Sequence, residues 1–204
     1  MQLLSEAGWP ILLLLVASIL SLAIIIDRAL ALRTSLIVPK GLLETVIKLE
    51  QSGSLSKEKL ENIAQQSALG AVLTVAIRYR HTTRELIKEA IEESGRSMVM
   101  RCEKNLPMLG TIAAVSPLLG LLGTVVGMII LFGQDSTLTA HAEQLSRGIS
   151  VALYNTAFGL VVAIPSMIFY RFYRSRIDFF AVEMEQQAIQ LVDELTKYRD
   201  HGLS

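Results

Sequence analysis

The run LPMLGTIAAVSPLLGLLGTVVGMIILF, Leu106 to Phe132, decides the fold together with GISVALYNTAFGLVVAIPSMIFYR, Gly148 to Arg171, which follows after a short polar stretch. About 20 helical residues at 1.5 Å each cross the ~30 Å of hydrocarbon in a bilayer, and each run is long enough. No charged side chain falls between Leu106 and Phe132 or between Ile149 and Tyr170. Both runs nevertheless carry polar groups in mid-span: Thr111, Ser116 and Thr124 in the first, Ser150, Asn155 and Thr156 in the second. Polar groups are costly in lipid, so these positions are where function is to be sought.

Upstream lies a third apolar run, WPILLLLVASILSLAIII, Trp9 to Ile26. Ala29-Leu30-Ala31 imitates a signal-peptidase site, but no basic segment precedes the run, the run is too long, and Asp27 and Arg28 adjoin the site. It reads as a first transmembrane helix with Trp9 at one interface and Pro10 in the first turn, where a missing N–H costs little. The composition agrees: 51% of the 204 residues are hydrophobic. Lys and Arg balance Asp and Glu at 19 each, which leaves no broad basic surface for nucleic acid. Three His and the single Cys102 do not supply a zinc site, one cysteine forms no internal disulfide, and Cys102 reads as structural.

Residues 33–105 are polar and helical in pattern. Gly41 to Glu50 and Ser56 to Gln66 are short amphipathic segments separated by Gln51-Ser52-Gly53-Ser54. Thr82 with Glu85 reads as a capping box, and Leu86, Ala90 (or Ile91) and Met98 as the apolar stripe of the helix that follows. No proline intervenes before Pro107, so this helix is expected to run straight into the second span. Its glutamates read as a solvated face rather than a metal site. Asp135, His141 and Glu143 fall in the loop between spans, and His141 reads as an exposed loop histidine rather than a pH sensor. After Tyr170, Arg171, Arg174 and Arg176 lead into an amphipathic pattern with Met184, Ala188, Leu191 (or Val192) and Leu195 on one stripe.

The expected fold is thus an all-α integral membrane protein with three transmembrane helices, the second and third extended into the cytoplasm as long helices. Its parts are a periplasmic N-terminus and first span (1–32), a cytoplasmic segment (33–105), the second span (106–133), a periplasmic loop (134–147), the third span (148–170) and a cytoplasmic C-terminal helix (171–204). Orientation rests on Arg28, Arg33, Lys40, Arg96, Arg101, Lys104, Arg171, Arg174 and Arg176, all on one side, against Arg147 in the loop.

Ser116, Gly120, Gly123 (with Thr124) and Gly127 recur at helical spacing, as do Ala152, Thr156, Gly159 and Ala163. Small faces let helix backbones approach in lipid, and here they predict close packing between subunits. Pro117 and Pro165 each remove a helix hydrogen bond and free the carbonyls of Ala113 and Val161. Spacing leaves two readings open for Thr124 and Thr156: packing residues bonded to a carbonyl one turn back, or members of a hydrated seam with Asn155 and Ser150.

The runs SPLLGLLGTVVGM, Ser116 to Met128, and GISVALYNTAFGLVVAIP, Gly148 to Pro165, resemble the MotA/TolQ/ExbB proton channel family. The order of spans fits its three-span TolQ/ExbB branch rather than the four-span stator branch. The resemblance implies a homopentamer in the bacterial inner membrane whose second and third spans line a pore. The pore would hold an ExbD/TolR-like single-span protein with a transmembrane Asp, and a TonB/TolA-like protein would take up the motion. It carries the pore threonines onto Thr124 and Thr156, and the family prolines onto Pro117 and Pro165. The glutamate that ExbB and TolQ place five residues before the second threonine falls on Val151, which cannot titrate; Glu143 is eight residues away, roughly 12 Å along a helix. The expected mechanism is a proton channel and motor subunit coupled to the proton motive force, with no cofactor, metal or covalent chemistry. A non-conducting scaffold is the alternative.

Overall fold

The computed structural model describes residues 9–132 and 141–201, with side chains described outside 130–132, 141–147, 151 and 198–201. Asp135 lies outside the described residues, and the side chains of His141, Glu143 and Val151 outside the described side chains. Eight helices are described: α1 (Pro10–Ala31), α2 (Thr34–Ile37), α3 (Leu42–Gln51), α4 (Lys57–Gln66), α5 (Ala68–Arg78), α6 (Arg84–Cys102), α7 (Leu106–Phe132) and α8 (His141–His201). Three of them, α1, α7 and the part of α8 beginning at Gly148, are long and apolar enough to cross a membrane. The protein is an all-α membrane protein. The chain divides into an apolar unit, residues 1–28 and 105–172, and a polar unit, residues 29–104 and 173–204.

In the apolar unit α1 starts at Pro10, whose fixed φ and missing N–H suit a first turn. It buries Leu14, Ser21, Ile24 and Arg28, a single stripe at helical spacing. Leu12, Val16, Ile19, Leu22 and Ile26 on its other faces are more than half exposed. A helix apolar all round but covered along one stripe has lipid as its remaining solvent. Leu118 and Leu121 on α7, and Leu153, Val161 and Ile164 on α8, repeat the pattern.

The polar unit is built around α5, which buries Leu69, Val72, Leu73, Ala76 and Ile77. Leu60 and Ile63 of α4, Ile87 and Ile91 of α6, and Tyr173, Ile177, Phe180, Met184, Ala188, Leu191 and Val192 of α8 complete the core. The starts of α4 and α5 are capped by serines. Ser56 Oγ accepts from Lys59 N at 3.2 Å and Ser67 Oγ from Gly70 N at 3.0 Å. Gly70 has no substitute, because a Cβ there would lie 2.1 Å from the Ile63 carbonyl oxygen.

Four local expectations are corrected. The cap of α6 is Thr83, whose Oγ1 accepts from Leu86 N at 3.4 Å; Thr82 Oγ1 instead donates to the Tyr79 carbonyl at 2.7 Å, closing the preceding turn. The buried stripe of α6 is therefore Ile87 and Ile91, with Leu86 half exposed. The third helix is already formed at His141, inside the stretch expected as a loop. Most consequentially, α6 does not run into the second span. It ends at Cys102, Asn105 takes a left-handed φ of 63°, and α7 starts at Leu106 with Leu109 N bonding back to the Asn105 carbonyl at 3.3 Å. The cause is Pro107. In a continuous helix its ring would collide with the Glu103 carbonyl and leave that carbonyl without its donor. Asn is among the few residues that enter the left-handed region cheaply, so the break falls there.

Candidate functional site

Helices α7 and α8 meet inside one chain at two glycines. A Cβ on Gly120 would stand 2.8 Å from the Asn155 carbonyl oxygen and 3.1 Å from Thr156 Cα. One on Gly159 would stand 2.7 Å from the Ser116 carbonyl oxygen and 3.1 Å from Gly120 Cα. The two backbones thus touch, which only glycine permits on both sides. One turn along, a Cβ on Gly123 would fall 2.8 Å from Asn155 Nδ2. Near the other end of the spans Gly110 carries the Tyr170 ring, 3.0 Å from where its Cβ would be. Gly127, expected in the same packing face, has nothing within 4 Å of such a Cβ. A close approach is thus made within the hairpin, and it stops short of Gly127.

The polar side chains sort by this crossing. Asn155 is 1% exposed, wedged on Gly123, so water cannot reach its amide without parting the helices. Asn155, expected beside Thr156 in the pathway, stands in this chain at the α7–α8 crossing. Ser116, fully buried, donates to the Ile112 carbonyl at 2.7 Å, one turn back. Thr124 and Thr156 are partly exposed and Ser150 is exposed. Thr124 Oγ1 donates to the Leu121 carbonyl at 2.7 Å, which spends its proton inside the helix and leaves its lone pairs facing outward as acceptors. This is the bond to its own helix that the packing reading of Thr124 expects, made here to the carbonyl three residues back. Pro117 and Pro165 both lie inside helices, tolerated there as they are not at Pro107.

A second polar contact was not foreseen. Ser21 Oγ of α1 and Ser166 Oγ of α8 are 2.6 Å apart, both buried, and Ser166 Oγ also lies 2.6 Å from the Val162 carbonyl. The signal available in the sequence was a serine beside Pro165 and two serines, Ser18 and Ser21, within the apolar run of α1. This pair fixes where α1 docks, on the helix that carries Thr156. Among the described residues no group of His, Cys, Asp and Glu is placed to hold a metal ion.

The model of the MotA/TolQ/ExbB proton channel family matches residues 58–186, more than half of the chain. The chain is 31% identical over 176 residues to the biopolymer transport protein ExbB-like 1 of Synechocystis sp., covering 82% of this chain and 69% of that protein. It is 33% identical over 164 residues to ExbB-like 3 of the same organism, covering 78% and 77%. The biopolymer transport protein exbB1 of Vibrio cholerae is 27% identical over 173 residues, covering 81% and 74%.

Proposed function

This chain belongs to the MotA/TolQ/ExbB proton channel family, and we propose that it is the inner-membrane channel and motor subunit of a proton-driven machine. With an ExbD/TolR-like single-span partner it couples the proton motive force to mechanical work on a periplasmic or outer-membrane system, TonB-dependent import or a Tol-Pal-like process. A pentamer of the α7–α8 hairpin encloses the partner helix, with 33–105 and the C-terminal helix in the cytoplasm, as the arginine distribution favours.

The observation that carries this reading is the sorting of polar groups. Asn155, Ser116, Ser21 and Ser166 are buried within the chain, while Thr124 and Thr156 beside the crossing stay partly open. A partner aspartate in a dry sector holds its proton, because ionisation there costs several kcal/mol. Turned toward the threonines it meets hydroxyl lone pairs and the water they hold, and it releases the proton. This subunit titrates nothing at position 151, since Val151 stands where the family's glutamate would be, and the titrating group is the partner's. Val151 is also what favours the second reading, a scaffold that assembles the complex without conducting.

Proton flux into liposomes holding this protein and its partner separates the two. Thr124→Val/Thr156→Val keeps shape and removes both hydroxyls. Flux should fall at least about fivefold with the oligomer intact, as an unsolvated polar group costs roughly 1–3 kcal/mol. Normal flux would leave the scaffold.

A further inference from the structure

We infer that the polar unit carries a binding surface for the headgroups of anionic glycerophospholipids, formed by Arg33, Lys40, Arg101 and Lys104 with Leu36 and Met100 beside them. Three spans place the end of α1, the start of α7 and the end of the apolar part of α8 at one membrane face, whichever way the protein is oriented. The flanks at that face, 27–40, 101–105 and 171–176, hold eight Lys and Arg against two acids. Both acids are already committed, Asp27 to Arg28 and Glu103 to Arg174.

Within the polar unit two contacts draw the three flanks together. Arg174 donates to Glu103 at the end of α6, and Arg176 Nη2 donates to Thr34 Oγ1 at 3.3 Å. Within a few residues of these contacts along the chain, Arg33, Lys40, Arg101 and Lys104 are all exposed, and among the described residues none has an acidic partner. Elsewhere in the same unit two arginines do find acids, Arg80 with Glu50 and Arg84 with Asp193. The exposed apolar side chains point to lipid rather than to a soluble anion. Leu36 is 49% exposed three residues after Arg33, and Met100 is 67% exposed next to Arg101. Cations with apolar neighbours, a few residues from span ends, match the boundary where phosphate gives way to acyl chain. The inference holds whether or not the protein conducts protons.

The test is native mass spectrometry of the full-length protein with equal amounts of phosphatidylglycerol and phosphatidylcholine of matched chains. The unaltered protein should retain phosphatidylglycerol preferentially. Arg33→Gln/Lys40→Gln/Arg101→Gln/Lys104→Gln should reduce that preference at least tenfold, since each cation near an anionic surface is worth about fivefold. Lys48→Gln/Lys57→Gln/Lys59→Gln/Lys88→Gln removes the same charge from exposed positions away from the flanks and should leave the preference intact. Single variants Lys40→Gln and Arg101→Gln, each expected to cost about fivefold, serve should the fourfold variant not fold. Equal loss in both fourfold variants would reduce the effect to net charge. An unchanged flank variant, or displacement of the lipid by 10 mM inorganic phosphate, would overturn the proposal.

Discussion

Replacing Gly159 by alanine adds one carbon where there is no room. Its Cβ would sit 2.7 Å from the Ser116 carbonyl oxygen, and ordinary contact begins at 3.4 Å, so α7 and α8 must part by the difference, 0.7 Å. Both atoms it meets first are backbone, which no rotamer change relieves. A gap of that width forfeits about a quarter to a half of the dispersion energy of the atoms lining it. Overpacking of this kind costs about 1–3 kcal/mol. The wedge of Asn155 on Gly123 loosens at the same time, admitting water to a buried amide. Gly127→Ala is the internal control, with nothing within 4 Å of its Cβ, and should change stability by under about 0.5 kcal/mol. Gly120→Ala meets the same crossing from the other side. Combined with Gly159→Ala it should cost less than the sum of the two, since the helices are already parted. Reversible unfolding in mixed detergent micelles, followed by far-UV circular dichroism, gives the stability of each variant. A Gly159→Ala protein as stable as the parent, or a Gly127→Ala protein that is the less stable of the two, would refute the assignment of the crossing.

Ser21→Ala and Ser166→Ala in a double-mutant cycle should couple by about 0.6 kcal/mol, the average for hydrogen bonds inside membranes, and a coupling of zero would remove the α1–α8 tie. Asn105→Gly should be neutral or stabilising and Asn105→Ala destabilising by about 1 kcal/mol, read from thermal unfolding, because φ there is 63°. Cys102, 7% exposed, should resist a membrane-impermeant maleimide from either side until the protein is unfolded. Lys57→Cys in a Cys102→Ala background should be labelled in inverted vesicles and not in intact spheroplasts; the reverse result would turn the proposed orientation over. Arg84→Gln should cost under about 1 kcal/mol, its partner Asp193 being 45% exposed.

The spans were legible because lipid imposes a coarse rule, long apolar stretches without charge, that needs no knowledge of neighbours. The break at Asn105 was not: the absence of proline before Pro107 suggested a continuous helix, whereas the ring of Pro107 itself acts on the Glu103 carbonyl four residues back. Thr82 and Thr83 differ by one residue and both could cap; which one does depends on Thr82 finding the Tyr79 carbonyl, a contact of the preceding turn. Asn155 was hardest. It neighbours Thr156 in sequence but stands about 100° around the helix, and only the position of α7 decides which of the two is covered. The glycine pattern announced a close approach and was assigned to contacts between subunits, although small residues are equally suited to contact within a chain, where Gly120 and Gly159 make it.

The burial of Asn155 and Ser166 has a consequence for how the protein enters the membrane. The ribosome delivers α1 and α7 before α8 exists. Each can wait in lipid with modest exposed polarity, Ser21 on one and a glycine-lined groove on the other. Helix α8 arrives last with an amide and a hydroxyl that only those two helices cover. It should therefore not partition alone but slide onto a prepared pair, and nascent chains arrested within α8 before Ser166 should crosslink at Gly123 earlier than at Ser21. Biogenesis then carries its own checkpoint: a chain whose first span is misplaced leaves the last one unable to stay.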